Sequence, residues 1–232
     1  MKGMTREHRI AGALYLLAAA VVIGGMVLYA SIGIDLEEAV RDGTMASYLE
    51  AASGSAALVL NYGMWIVTAL LVALGSVALA VGSRTLASAL GAAVAVIAAA
   101  VALPTYLLAM TLVVAAADEG AVDLASVLGW MASRADWTTT ALLLGLAPAL
   151  LSWSGPWAPG WMRLLGVASA ACGAVAIAVL PIESLAPAGY AVLVTGPMWL
   201  LAAGVVLVSP SRGVARAAGG AGPSTPPDRS RH

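Results

Sequence analysis

Thr85 to Ala117 read TLASALGAAVAVIAAAVALPTYLLAMTLVVAAA, a run of 33 residues with Arg84 before it, Asp118 after it and no charge inside. At ~1.5 Å per residue a helix of this length reaches ~50 Å, more than the roughly 30 Å of bilayer hydrocarbon it would have to cross. The stretch predicts a membrane span, and the composition on either side agrees. Of the whole chain 61% is hydrophobic and 10% charged, where soluble domains carry about 25% charged residues. The mean hydropathy is +0.95. Apolar segments run from end to end of the 232 residues. The fold class expected is therefore all-α, one polytopic integral membrane helix bundle with no second globular domain.

Toward the N-terminus, the turn VGSR separates this span from an apolar run over about 57–80, so the two helices are antiparallel neighbours. Lys2, Arg6 and Arg9 precede a first uncharged run from Ile10, assigned as a helix over about 10–32. It imitates a signal peptide, but a secretory apolar core has only about 7 to 15 residues. Between these spans lies GIDLEEAVRDGTMASYLEAASGS, read as a solvated acidic connector. The alternative is a short surface helix with Leu36, Val40, Tyr48 and Leu49 as its apolar stripe.

Toward the C-terminus, Asp118 to Asp136 read as a second loop whose Trp130 and Met131 touch the headgroups. A short helix over 137–153 is framed by Trp137 and Trp153, about 24 Å apart along a helix and so at the two aromatic belts. Helix five covers 162–180. Its Gly166, Ala170, Gly173 and Ala174 include pairs spaced by four, which pack within the chain by default and offer a homodimer contact as the alternative. Pro181, Glu183 and Pro187 mark a brief turn before helix six, 188–208, which a Gly196-Pro197 pair should bend; Pro104 should bend helix three (85–115) in the same way. Residues 1–9 form a short N-terminal segment, and 209–232, rich in Gly, Pro and Ser, form a tail expected to be disordered.

Six spans place Lys2, Arg6, Arg9, Arg84, Arg163, Arg212, Arg216, Arg229 and Arg231 on one side and only Arg41 and Arg134 on the other. The positive-inside rule then puts both termini in the cytoplasm. Arginine outnumbers lysine ten to one and phenylalanine is absent, as in a bacterial genome of high G+C content, so a bacterial inner membrane is the expected location.

The side-chain inventory excludes several chemistries. His8 and His232 are the only histidines and both read as lying outside the spans, which argues against a bis-histidine haem, an HExxH zinc site and a serine–histidine intramembrane protease. Lys2 is the only lysine, so no helix carries a retinal Schiff base; Cys172, the only cysteine, reads as a small packing residue. No cofactor, metal site or nucleic-acid partner is expected. The polar groups left in the outer half are few, and Asn61, Tyr62, Tyr106, Asp136 and Glu183 are the candidate pocket residues. Glu183 has two readings. Either it faces water and headgroups, or its carboxylate takes donors from Asn61, Tyr62 or Tyr106 at the hydrocarbon edge.

RIAGALYLLAA after a short basic start, and PWAPGWMRLLGVASAACGAVA leading into helix five, resemble an uncharacterised bacterial family of six-helix membrane proteins known only as a domain of unknown function. Trp161 to Gly166 stand where that family has a Pro-x-Trp-Leu-Gly-like segment. The resemblance implies six spans and no catalytic residues. The function expected is that of a noncatalytic membrane protein that binds or senses an apolar or weakly polar ligand, or scaffolds a partner, in contact with membrane lipids. A small-molecule transporter is the alternative, and a lipid-modifying enzyme using Glu183 and Asp136 at the outer face is a second.

Overall fold

The computed structural model describes residues 5–115 and 122–209. Described residues are helical throughout, without a strand. The helices are α1 (Arg6–Ile32), α2 (Leu36–Arg41), α3 (Met45–Ala52), α4 (Ala56–Ser83), α5 (Leu86–Ala115), α6 (Val122–Thr140), α7 (Ala147–Ser152), α8 (Gly160–Ala178), α9 (Ala186–Gly189) and α10 (Val192–Val208). A π-helical segment, Ala141–Leu146, joins α6 to α7 without a break. Five helical stretches are long and apolar enough to cross a membrane: Arg6–Ile32, Ala56–Ser83, Leu86–Val114, Gly160–Ala178 and Glu183–Val208.

Packed neighbours run in a ring, α1 on α4, α4 on α5, α5 on α6 and α7, α7 on α8, α8 on α10 and α10 back on α1. The ring is apolar on its outside as well as in its core. Leu17, Leu74, Ile97, Val167 and Val205 face outward, whereas Thr68, Ser76, Ser88, Ser152 and Ser169 are buried. Where water is absent no hydrophobic drive holds helices together, and close approach of small residues takes its place. Gly12 and Gly204 provide it between α1 and α10: a Cβ on Gly12 would lie 2.8 Å from Leu207 Cβ and 3.0 Å from the Gly204 carbonyl oxygen.

The two ends of the bundle are tied differently. At the proximal end, next to the N-terminus, His8 packs against Gly82, accepts or donates to Thr5 Oγ1 at 2.8 Å and reaches Ser83 at 3.4 Å. Thr85 Oγ1 donates to the Ser154 carbonyl at 3.0 Å, joining the α4–α5 and α7–α8 turns. His8 is thus buried within α1 rather than outside the fold, because the helix begins at Arg6, a turn earlier than the apolar run. Arg6, Arg9, Arg84 and Arg163 belong to this end, and Arg41, Arg134 and most acids to the distal one.

Above the ring at the distal end, the first loop is no solvated connector. Asp35 Oδ1 accepts from the Glu37 and Glu38 N–H groups at 2.7 and 3.3 Å and starts α2 as an N-cap. Leu36, Ala39, Met45, Tyr48, Leu49 and Ala52 are buried, so α2 and α3 form a docked lid. The lid sits on α6 at Gly129, where a Cβ would lie 2.7 Å from Met45 Cε.

The fourth helix also differs from the sequence reading. It begins at Val122 rather than 137, with Asp123 in its first turn, and Arg134 and Asp136, which read as loop, lie inside it with partners, Arg134 with Glu183 and Asp136 with Tyr106. The last helix breaks near Tyr190 and Ala191, while Pro197 and Pro104 remain within continuous helices. In α8, Gly166 and Gly173 face inward: a Cβ on Gly166 would meet Ser152 Oγ at 2.5 Å, and one on Gly173 would meet Gly145 Cα and the Ala141 carbonyl oxygen at 3.0 Å. Both glycines are used within the chain, leaving Ala174 of that small-residue set exposed. Cys172 is partly buried against the core. Residues 210–232 and the loop charges Asp118 and Glu119 lie outside the described residues.

Candidate functional site

Beneath the lid a cavity of about 300 Å³ opens among the distal ends of α1, α4, α5, α6 and α10. Each wall follows from local sequence. The end of α1 brings Met26 and Tyr29, the start of α4 brings Asn61, Tyr62 and Trp65, and α5 contributes Thr105, Tyr106 and Ala109, immediately after Pro104. The long α6 brings Ala132, Ser133, Asp136, Trp137 and Thr140 on one face, at the helical spacing of three and four. Asp35, Leu36 and Glu37 form the roof, and Tyr190 and Leu193 the last side.

Four of the five candidate residues therefore converge. Tyr106 donates to Asp136 Oδ1 at 2.5 Å and stacks between Tyr62 and Trp65, each ring centroid 6.2 Å away. Tyr62 exchanges a hydrogen bond of 3.1 Å with Tyr48 of the lid. Asn61, fully buried, donates its amide N–H to the Gly25 carbonyl at 2.7 Å. That bond fixes which side of the amide is which, since a carbonyl can only accept. Asn61 lines the cavity, and its Oδ1 is buried without a protein partner. A buried acceptor in this state costs roughly 1–3 kcal/mol unless something donates to it.

Glu183 is not among them. Its carboxylate is 53% exposed and accepts from Arg134 Nη2 at 2.5 Å, outside the cavity. Arg134 in turn lies over the Trp130 ring, 5.5 Å from its centroid. Neither sequence reading of Glu183 anticipated this pair, because Arg134 was placed in a loop rather than on a helix that passes the α8–α9 turn.

Glu37 takes the place assigned to Glu183. Trp137 N–H donates to Glu37 Oε2, and Ser133 Oγ donates to the same oxygen at 3.4 Å. Trp137 is buried and packs on Tyr190 at 5.2 Å, so it closes the cavity instead of marking a headgroup belt. Burial raises the Glu37 carboxyl above its usual range, the Trp137 N–H opposes this, Asp35 raises it further and Arg134 lowers it. The signal that could have found Glu37 is the Asp35-Leu36-Glu37-Glu38 sequence itself, an N-cap followed by acids in a helical first turn.

The hydrogen bonds to Asp35, Glu37 and Asp136 fall on one oxygen of each carboxylate, and the hydroxyls of Tyr29 beside Asp35 and Thr140 beside Asp136 are further protein donors. No three acidic, histidine or cysteine side chains among those residues gather closely enough to hold a metal ion. The arrangement offers acceptors and aromatic faces around an open space.

No family model, curated protein or solved structure matches this chain, so the site is read from its own geometry.

Proposed function

We propose that the protein is a six-span bacterial inner-membrane protein with both termini in the cytoplasm, and that it acts by holding a small ligand in the distal cavity rather than by catalysis. The observation that carries this reading is the 300 Å³ space lined by Asn61, Tyr62, Tyr106 and Asp136, the Asn61 side-chain carbonyl being buried without a protein partner. Packed membrane helices leave few voids, and a cavity of this volume is at the small end of the range for ligand sites. The sixth span is the continuous α6–π–α7 run, whose apolar part is Trp137 to Trp153. The distal end then faces outward, since nine of the eleven basic residues fall at the opposite side. The lipid-modifying alternative is not favoured, because Glu183 is paired with Arg134 away from Asp136.

Native mass spectrometry of the full chain released from its membrane tests the reading. A retained small molecule or lipid is expected on the unaltered protein and lost from Ala132→Phe, which fills the cavity. An adduct-free protein, or an adduct indifferent to that substitution, contradicts it.

One observation favours transport as a second reading. The π segment lies directly below the cavity, beginning after Thr140 in its wall, with Ala147 N–H bonding the Leu142 carbonyl and Pro148 lacking a donor of its own. Transport requires that ligand protect positions on both sides of Ala141–Leu146 from modification; binding alone confines protection to the distal side.

A further inference from the structure

The cavity wall is one-sided in charge and in hydrogen bonding. Its lining contains three carboxylates, Asp35, Glu37 and Asp136, and no lysine, arginine or histidine. Arg134 bonds Glu183, lies over Trp130 and bears on Glu37 from outside, and does not line the space. Six aromatic rings complete the wall: Tyr29, Tyr62, Trp65, Tyr106, Trp137 and Tyr190. Among the described lining residues Asn61 Oδ1 is a buried acceptor without a protein donor, and the three carboxylates add further acceptor oxygens.

Three classes of occupant can be compared on these facts. An anion meets three like charges. A bare metal ion needs oxygens converging on a point, and these do not converge. A neutral apolar molecule suits the rings but leaves the Asn61 acceptor unpaired. An organic cation uses the aromatic faces through their quadrupoles and the carboxylates through charge, and one that carries N–H groups also supplies the donor Asn61 lacks.

We propose that the distal cavity is a site for an organic ammonium, a protonated amine on a small apolar body, its N–H groups directed to Asp136 and Asn61 Oδ1 and its body held among Tyr62, Trp65 and Tyr106. This rests on the ligand-binding reading above and names the ligand's chemistry. The ammonium can belong to a free amine or to an aminophospholipid headgroup entering from the outer leaflet, and the two share the recognition.

The test is a titration of the full-length protein in phosphatidylglycerol nanodiscs, followed by the fluorescence of its tryptophans. The probes are 2-phenylethylammonium, neutral 2-phenylethanol and anionic phenylacetate. The ammonium is expected to saturate the site at least tenfold more tightly than either of the others. Asp136→Asn and Asn61→Leu should each weaken it about tenfold while leaving the alcohol unchanged; if Asp136→Asn does not fold, Glu37→Gln serves in its place with a smaller loss. Repeating the titration with phosphatidylethanolamine in the disc separates the sources, since competition identifies the headgroup and its absence the free amine. Equal binding of alcohol and ammonium, insensitive to these variants, overturns the ammonium assignment and leaves the ligand site standing. Failure of every probe while the native adduct persists does the same. Failure of every probe together with an adduct-free protein removes both.

Discussion

The proximal and distal halves of this bundle use aromatic residues in opposite ways. In the proximal half Trp199 is fully buried, donates its indole N–H to Ser152 Oγ at 2.7 Å and meets Tyr15 edge-on at 5.5 Å. Tyr15 pairs its hydroxyl with Ser76 at 3.1 Å, and Trp157 donates to Ser154 at 2.8 Å. Each ring fills volume and each polar tip has a serine within reach. In the distal half the rings of Tyr62, Trp65 and Tyr106 stand around empty space, and beside them is an amide oxygen with no donor. The difference sets one half, closed by its own side chains, against another whose side chains surround a cavity of about 300 Å³.

Substitutions should separate the halves. The largest effect belongs to Trp199→Ala, which empties a filled site and removes the indole donor to Ser152 Oγ; a loss of about 4 kcal/mol in unfolding free energy is expected, measured by denaturation in mixed micelles. A loss below that of a distal substitution would erase the contrast. Next comes Gly173→Leu, which pushes a side chain into Gly145 and the Ala141 carbonyl. Overpacking of this kind costs about 2 kcal/mol, and melting with and without the substitution measures it. Tyr106→Phe removes the hydroxyl that donates to the Asp136 carboxylate and should cost about 1.5 kcal/mol by the same denaturation.

The smallest effect is on pH. Because the folded-state Glu37 carboxyl is raised, its contribution to lid docking is full below the ordinary carboxylate range and is lost as pH rises through the raised value. The groups that set it are Asp35, Ser133, Arg134 and Trp137. The amide protection factors of Met45–Ala52, which remove the intrinsic rise of exchange with pH, should therefore fall slightly between acid and neutral pH, and Glu37→Gln should flatten that dependence. An unchanged slope in the variant would assign the effect to another group.

Much of the bundle was legible in the sequence because long uncharged runs mark helices apolar enough to cross a membrane: helices over 57–80 and 85–115 differ from α4 and α5 by only a few residues at their ends. Asn61, Tyr62, Tyr106 and Asp136 were legible as candidates for a related reason, being the rare polar groups in the outer half. What failed was anything that depends on pairing. Arg134 and Asp136 read as loop because hydropathy counts a charge without asking whether a partner at Glu183 or Tyr106 awaits it. Leu36, Met45 and Tyr48 read as connector because their stripe is too short to stand out until Gly129 gives it a surface. Trp137 read as an interfacial anchor for the same reason: only the docked lid brings Glu37 to its N–H.

The claim that the distal half is an open acidic site and the proximal half is closed can be measured with one cysteine at a time in a Cys172→Ser background. Ala109 and Ala132 line the cavity, whereas Ala18 and Ala203 are fully buried in the ring outside it. The account expects cysteines at 109 and 132 to react from the periplasmic face, several-fold faster with the cationic 2-aminoethyl methanethiosulfonate than with its anionic sulfonatoethyl counterpart, and cysteines at 18 and 203 to stay inert to both. Equal rates at all four positions, or a preference for the anionic reagent at 109 and 132, would contradict it.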